Sequence, residues 1–138
     1  MMKKILLATD GSVQSQRSAE QAIQLATAFN GVIDVVHVID AERAKHDALK
    51  NITPAALEQD RKQRLNPVLT KIKKEGIPYK LHFLKGEPGP SIVDFANKGE
   101  YDWVILGSRG LNPLQKMVLG SVSHKVAKRV KWPVMIVK

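Results

Sequence analysis

The stretch WVILGSRGLNPLQKMVLGSVS, residues 103 to 123, joins a short apolar run to a segment with three widely spaced glycines. The run Trp103 to Leu106 predicts a buried strand. A helix is predicted from about Gly120 to Val130, with an apolar stripe of valines on one face. Because connections from a strand to a helix usually need only about 2–6 residues, the longer segment here is typical of a functional loop. This strand–loop–helix unit is the building block of a parallel α/β sheet.

The rest of the chain repeats the same alternation, in the order βαβαβαβαβ, which favours a mainly parallel sheet with helices on both faces. Alternating apolar and polar residues from Tyr79 to Phe83 predict an edge strand with one exposed face. Pro67 is expected to kink or interrupt the helix that follows Thr53. Residues 85–90 are expected to form a rigid loop before a helix capped by Ser91. The remaining predictions are strands at 4–9, 32–39 and 134–137, a first helix capped by Ser12 or Ser15 and ending at Asn30, a second helix ending at Gly76, and a surface connection at 40–52.

Length and composition limit the class of protein. The 138 residues are enough for one domain, predicted at 1–138, with a core that needs no disulfide or structural metal to be stable. The absence of cysteine excludes disulfides, thiolate chemistry and cysteine-ligated zinc. Apolar runs are far shorter than the ~20 residues of a membrane-spanning helix, and no export signal follows the N-terminus. We therefore expect a cytoplasmic protein.

The charge is strongly positive and unevenly distributed. The formal net charge is +9, and no acidic residue follows Asp102. Three cations, Lys128, Arg129 and Lys131, cluster at the end of the predicted last helix, where they complement the helix dipole. Binding to duplex nucleic acid is the less favoured interpretation, because it needs a contiguous basic face that contacts several phosphates.

The glycine segment has the chemistry of an anion site. Its glycines are Gly107, Gly110 and Gly120, with Arg109 in the first gap and hydroxyls at Ser121 and Ser123. A helix N-terminus offers unpaired N–H groups and partial positive charge, and glycine lets backbone amides approach an oxygen closely. The spacing matches neither a Walker loop nor a dinucleotide fingerprint. Ordinary turn and cap roles for the three glycines remain the alternative.

The pattern G-x2-G-x9-G-S, present as Gly107, Gly110, Gly120 and Ser121, resembles the nucleotide-binding signature of the universal stress protein family. The likeness covers the whole chain. It includes the opening 4–12, the strand end 37–40, the loop 86–88 and the closing 133–137.

This resemblance implies a three-layer, doubly wound, Rossmann-like fold of the adenine nucleotide alpha hydrolase type, with five parallel strands ordered 3-2-1-4-5. It also implies the ATP-binding subgroup, a stress-response or signalling role with conformational output, and a homodimer paired through Val134–Val137. ADP or AMP are possible ligands besides ATP, with Mg²⁺ accompanying them. The implied nucleotide-binding residues are Ala8, Thr9, Asp10, Val38, Leu106, Gly107, Ser108, Arg109, Gly110, Gly120, Ser121, Val122 and Ser123. The family often has histidine at position 109 and threonine at position 123.

Asp10 and the histidines are the side chains whose chemistry could bind metal or act as a base. Asp10 either helps to hold Mg²⁺ with nucleotide oxygens or caps the turn after the first strand. His124 is the nearest candidate base for ATP hydrolysis, although a histidine in a first helical turn is more often solvated. His37 is expected to pack or bond within the sheet, and His46 and His82 to lie in surface segments. We therefore favour a binding module with at most slow hydrolysis over a small nucleotide-using enzyme such as an ATPase or adenylyl transferase.

Overall fold

A computed structural model describes residues 3–13, 15–39, 45, 49–50, 53–108 and 120–138. The predicted connection 40–52 therefore falls largely outside the described residues, as do His46, Arg109 and Gly110. The elements in chain order are β1 (Lys4–Ala8), α1 (Gln16–Phe29), β2 (Val32–Ile39), α2 (Pro54–Lys74), β3 (Tyr79–Lys85), α3 (Pro88–Lys98), β4 (Trp103–Gly107), α4 (Ser121–Arg129) and β5 (Val134–Val137).

The five strands form one sheet in the order β3-β2-β1-β4-β5, and every neighbouring pair is parallel. The predicted order is confirmed. β1 lies at the centre, where Leu7 pairs with Val35 of β2 on one side and with Ile105 of β4 on the other. Because a strand buried on both faces has no polar side to show, β1 is a continuous apolar run rather than an alternating one.

Successive side chains of each strand point to opposite faces of the sheet, and this divides the core in two. One cluster packs the first face against α1 and α2; its fully buried members include Ile5, Leu7, Ala19, Ala22, Val68, Ile72 and Ile105. The other packs the second face against α3 and α4; its buried members include Leu6, Ala8, Val36, Ile92, Ala96, Val104 and Val126. The sheet is thus a central layer between two helical layers.

Local sequence explains where the helices begin and end. α1 ends at Asn30, whose φ of 53° is left-handed, a conformation that asparagine tolerates better than most residues. α2 begins after Thr53, whose hydroxyl accepts a hydrogen bond from the Ala56 N–H at 3.2 Å, with Pro54 in the first turn. Lys128 and Arg129 occupy the last turn of α4, as predicted.

The predicted start of α3 is wrong. The helix begins at Pro88 with Glu87 as its N-cap, and the Ser91 N–H already bonds to the Glu87 carbonyl at 3.1 Å. Ser91 therefore lies inside the first turn and does not cap it. Proline is well suited to this turn because its missing N–H would have had no helical partner there.

Pro67 does not interrupt α2, which runs continuously from Pro54 to Lys74. The missing N–H leaves the carbonyl of Gln63 without its helical donor. Both Gln63 and Pro67 are exposed, so water can replace the lost bond. Buried Leu65, Val68 and Ile72 hold the same helix against the sheet.

β3 is an edge strand, as predicted, but neither of its faces is fully open. His82 and Leu84 are half-buried beneath α3 rather than exposed. The His82 ring lies 4.9 Å from that of Phe95, and its Nε2 atom is 3.9 Å from a carboxylate oxygen of Asp34. His82 thus lies on an edge strand, where its side chain is 34% exposed and partly covered by α3. No helix in the described ranges combines the length and the apolar character needed to span a bilayer.

Candidate functional site

The carboxyl ends of β1 and β4 define a crevice. In the order 3-2-1-4-5 the chain passes from β1 to β2 on one side, and β4 lies on the other side of β1. Ligands of open α/β sheets bind at such a switch point, because the loops that leave the two strands diverge there. The loop after β1 and the start of α4 both lie at this end of the sheet.

The loop after β1 is held by its own hydroxyls and amides. The Thr9 hydroxyl donates to Ser15 Oγ at 2.8 Å and accepts from the Gly11 N–H at 3.2 Å. Ser15 Oγ in turn donates to the Ser12 carbonyl at 2.8 Å. All three hydroxyl residues, Thr9, Ser12 and Ser15, are buried. The loop therefore has a defined conformation before any ligand is considered.

Asp10 occupies the turn that its sequence position predicts. Its Oδ1 atom accepts a hydrogen bond from the Ser12 N–H at 2.9 Å, and the side chain is half-buried. This is the capping role expected of an aspartate after a strand. It holds Oδ1 within the turn and leaves Oδ2 available to a ligand.

Gly11 is where helix α2 approaches this loop. Its φ is +77°, and a Cβ added there would lie 2.9 Å from the backbone carbonyl oxygen of Arg64. Both the conformation and the close approach require glycine. The contact places Arg64 of α2 beside the turn that carries Asp10.

His37 lies on β2 beside the same loop. Its Nδ1 atom is 3.0 Å from the Thr9 carbonyl, and its ring meets Phe83 edge-on at 6.0 Å. Since a carbonyl can only accept, Nδ1 carries the proton. Burial lowers the pKa of His37, with the positive charges of Arg64 and Arg61 acting in the same direction. The neutral ring therefore acts as a structural link between β1 and β2, as the sequence predicts.

The end of β4 is fastened to the start of α4. The Gly120 N–H donates to the Ser108 carbonyl at 3.0 Å, and the Ser123 hydroxyl donates to the Gly107 carbonyl at 2.7 Å. The Ser108 N–H donates to the Val137 carbonyl at 2.9 Å. The first two bonds join the end of β4 to the start of α4, and the third joins the end of β4 to β5. We call these three hydrogen bonds the neck.

The first turn of α4 faces the same end of the sheet. Its first helical hydrogen bond runs from the His124 N–H to the Gly120 carbonyl at 3.0 Å, so the N–H groups of Ser121, Val122 and Ser123 have no partner within the helix. No side chain caps this helix in the described part of the chain. Such a turn can receive an anion through its backbone donors.

The structure brings most of the predicted residues to one end of the sheet. Thr9 and Asp10 follow β1, Gly107 and Ser108 end β4, and residues 120–123 begin α4. Ala8, Val38 and Leu106 belong to the face covered by α3 and α4. Ser123 differs in one respect from expectation, since its hydroxyl is buried and donates to Gly107. Toward a ligand it therefore offers its backbone N–H.

Sequence reasoning missed two contributors. The sequence predicts only a helix-capping role for Ser15, yet its hydroxyl links Thr9 to Ser12. Arg64 carries no local signal for its contact with Gly11, because 53 positions of chain separate them and only the docking of α2 brings them together. Among the described residues, no three His, Cys, Asp or Glu side chains are grouped as metal ligands.

The sheet order and the two helical layers place the chain in the doubly wound α/β class. The model of the Universal stress protein family matches residues 1–138, so the chain belongs to that family.

Three solved structures resemble this chain over nearly its whole length. Universal stress protein MJ0577 of Methanocaldococcus jannaschii is 31% identical, with a TM-score of 0.77 and coverage of 100% of this chain and 96% of that one. The universal stress protein of Archaeoglobus fulgidus in complex with dAMP is 25% identical, with a TM-score of 0.72 and coverage of 100% and 98%. A universal stress protein in complex with cAMP is 26% identical, with a TM-score of 0.71 and coverage of 99% and 96%.

Proposed function

We propose that this chain binds an adenine nucleotide, ATP foremost, in the crevice between the carboxyl ends of β1 and β4. The observation that carries the proposal is the neck, which sets the free amides of the first turn of α4 beside the end of β4. The relatives solved with dAMP and cAMP support an adenine ligand for this fold. Residues 1–138 would then act as one nucleotide-binding domain.

The proposed placement follows the geometry of the two strand ends. Phosphate oxygens accept hydrogen bonds from the amides of residues 121–123, since a helix N-terminus favours negative charge. The ribose lies beside Gly107 and Ser108. Adenine lies near Val38, which is half-buried on the side of the sheet shared with Ala8 and Leu106. By the family pattern, Arg109 and Gly110 complete the phosphate site.

Asp10 can supply one ligand to Mg²⁺ but does not belong to a complete set of protein ligands. One of its oxygens is engaged by the Ser12 N–H, and the described residues supply no group of three acidic or histidine ligands. Mg²⁺ commonly takes one or two carboxylates together with phosphate oxygens and water. We therefore propose that Asp10 contacts Mg²⁺ only when a nucleotide is bound.

The output that we propose is conformational, in a stress-response or signalling role within the cytoplasm, rather than rapid turnover. His124 is exposed in the first turn of α4, where it is better placed to contact water than to orient a nucleophile. A nucleotide-using enzyme is the alternative. Steady conversion of ATP to ADP or AMP at a rate above about 1 per second, within the range of ordinary enzymes, would favour that alternative.

Calorimetric titration of the unmodified protein tests the proposal. We expect saturable binding of ATP in the presence of Mg²⁺, with weaker binding of ADP and AMP because they present fewer phosphate oxygens to the helix amides. Titration with GTP shows whether the site requires adenine, and titration with cyclic AMP shows whether it requires an open phosphate chain. Failure to bind any of the adenine nucleotides would overturn the proposal.

We also propose a homodimer through β5. All four residues of Val134–Val137 are half-exposed, and β4 is the only strand that pairs with β5 in the described sheet. An apolar edge strand of this kind needs a cover, and a second copy can supply one by antiparallel pairing. Sedimentation equilibrium is expected to show a dimer that dissociates on dilution. A monomer at every concentration would contradict this assignment.

A further inference from the structure

We propose that Ser123 is a positioning residue, whose hydroxyl holds the nucleotide site open rather than contacting the nucleotide. The inference deepens the proposed function and rests on it for its consequence for affinity. The hydroxyl is buried and donates its only proton to the Gly107 carbonyl at 2.7 Å. A hydroxyl has one donor proton, so it cannot donate to a phosphate oxygen while this bond is intact.

The bond lies at a point where two consecutive peptide units are fixed. The Gly107–Ser108 peptide is held by Ser123 through its carbonyl and by Val137 through its N–H. The following carbonyl, that of Ser108, accepts from the Gly120 N–H at 3.0 Å. Ser123 is thus the one side chain among the three partners, and the other two are the backbone carbonyl of Val137 and the backbone N–H of Gly120.

Two consequences follow from this arrangement. The Ser123 hydroxyl sets the distance between the end of β4 and the first turn of α4, which form two walls of the proposed crevice. It also supplies a donor to the part-buried Gly107 carbonyl, and an acceptor that is shielded from water and loses its donor is costly. Removing the hydroxyl is therefore expected to loosen the neck whether or not a nucleotide is present.

A matched pair of substitutions isolates the hydroxyl. Ser123→Thr keeps the hydroxyl donor and Ser123→Val removes it. Because threonine and valine have nearly the same shape, the comparison of these two variants reports the loss of the hydroxyl alone. Amide hydrogen exchange in the nucleotide-free protein reports the neck directly at the Gly120 and Ser108 N–H groups. We expect both amides to be protected in the unmodified protein and in Ser123→Thr, and to exchange about tenfold faster or more in Ser123→Val.

Nucleotide affinity supplies the second measurement. ATP affinity is expected to fall about five- to tenfold in Ser123→Val, the loss typical of one hydrogen bond, and to be restored in Ser123→Thr. Ser121→Ala, which removes an exposed hydroxyl two residues earlier in the same helical turn, is the control and is expected to leave amide exchange at the neck unchanged.

The outcomes separate this inference from the proposed function. Unprotected Gly120 and Ser108 amides in the unmodified protein would overturn it, even if no variant folds. Unchanged exchange in Ser123→Val together with reduced ATP affinity would assign the hydroxyl to the phosphate and also overturn it. Loss of protection restored by threonine supports the positioning role, including in a protein that proves to bind no ATP.

Discussion

Gly120→Val is expected to lower ATP affinity about 100-fold or more, equivalent to about 2.7 kcal/mol at 25 °C. A Cβ at this position would lie 3.3 Å from the Ser108 carbonyl oxygen, tighter than an ordinary contact. The two methyl groups of valine would extend beyond it at the start of α4. The backbone itself tolerates the change, because φ at Gly120 is −61°. The predicted effect therefore comes from the filled space and the strained neck.

Two controls separate this effect from general destabilisation. Gly120→Ala adds only the Cβ and is expected to give an intermediate affinity. Ala127→Val adds the same two methyl groups at an exposed position of the same helix and is expected to bind ATP normally. Calorimetric titrations compare the affinities, and thermal unfolding checks that each variant is folded. Unaltered ATP binding by folded Gly120→Val would place the nucleotide elsewhere.

Tyr101→Phe is expected to lower the free energy of unfolding by about 1–3 kcal/mol. The buried Tyr101 hydroxyl donates to Asp34 Oδ2 at 2.8 Å, and Asp34 is itself only 8% exposed. Phenylalanine keeps the ring but leaves a buried carboxylate oxygen without its donor. The ammonium of Lys4 lies 3.8 Å from the same oxygen and compensates in part. Denaturant unfolding measures the loss.

The control for this substitution is Tyr79→Phe, on half-buried β3, where the described residues provide no hydrogen-bond partner for the hydroxyl. Its expected change is within about 0.5 kcal/mol.

The pH dependence gives a second check on the Tyr101 hydrogen bond. Burial and then the hydrogen bond to Asp34 raise the pKa of Tyr101 above its usual value of 10.0. The folded state therefore keeps a proton that the unfolded state loses above about pH 10, and the stabilisation declines as pH rises past that point. The difference in unfolding free energy between the unmodified protein and Tyr101→Phe is therefore expected to narrow above about pH 10. Equal unfolding free energies at neutral pH would contradict this role of Tyr101.

Most of the fold could be predicted from local sequence. The run Ile5 to Ala8 indicates a strand buried on both faces because it has no polar alternation, and the structure confirms it. The sequence Pro88-Gly89-Pro90 predicts a loop, because its residues are turn formers in most contexts, and this prediction is wrong. Here they form the first helical turn, in which the two prolines lack only N–H groups that have no helical partner.

The site was predictable to the extent that its chemistry is local. Asp10 caps the turn that its position after β1 indicates. The partner of the Ser123 hydroxyl, the Gly107 carbonyl, lies 16 positions earlier, and only the docking of α4 against β4 brings them together. The contact of Arg64 with Gly11 depends in the same way on the docking of α2. Such tertiary contacts leave no periodic pattern in the sequence.

A crystal structure of the protein grown with saturating Mg-ATP would show directly where the nucleotide binds. We expect it in the crevice between the carboxyl ends of β1 and β4, with phosphate oxygens on the N–H groups of residues 121–123 and the Ser123 hydroxyl still bonded to the Gly107 carbonyl. An empty crevice in those crystals, or a nucleotide bound on another surface, would contradict this placement.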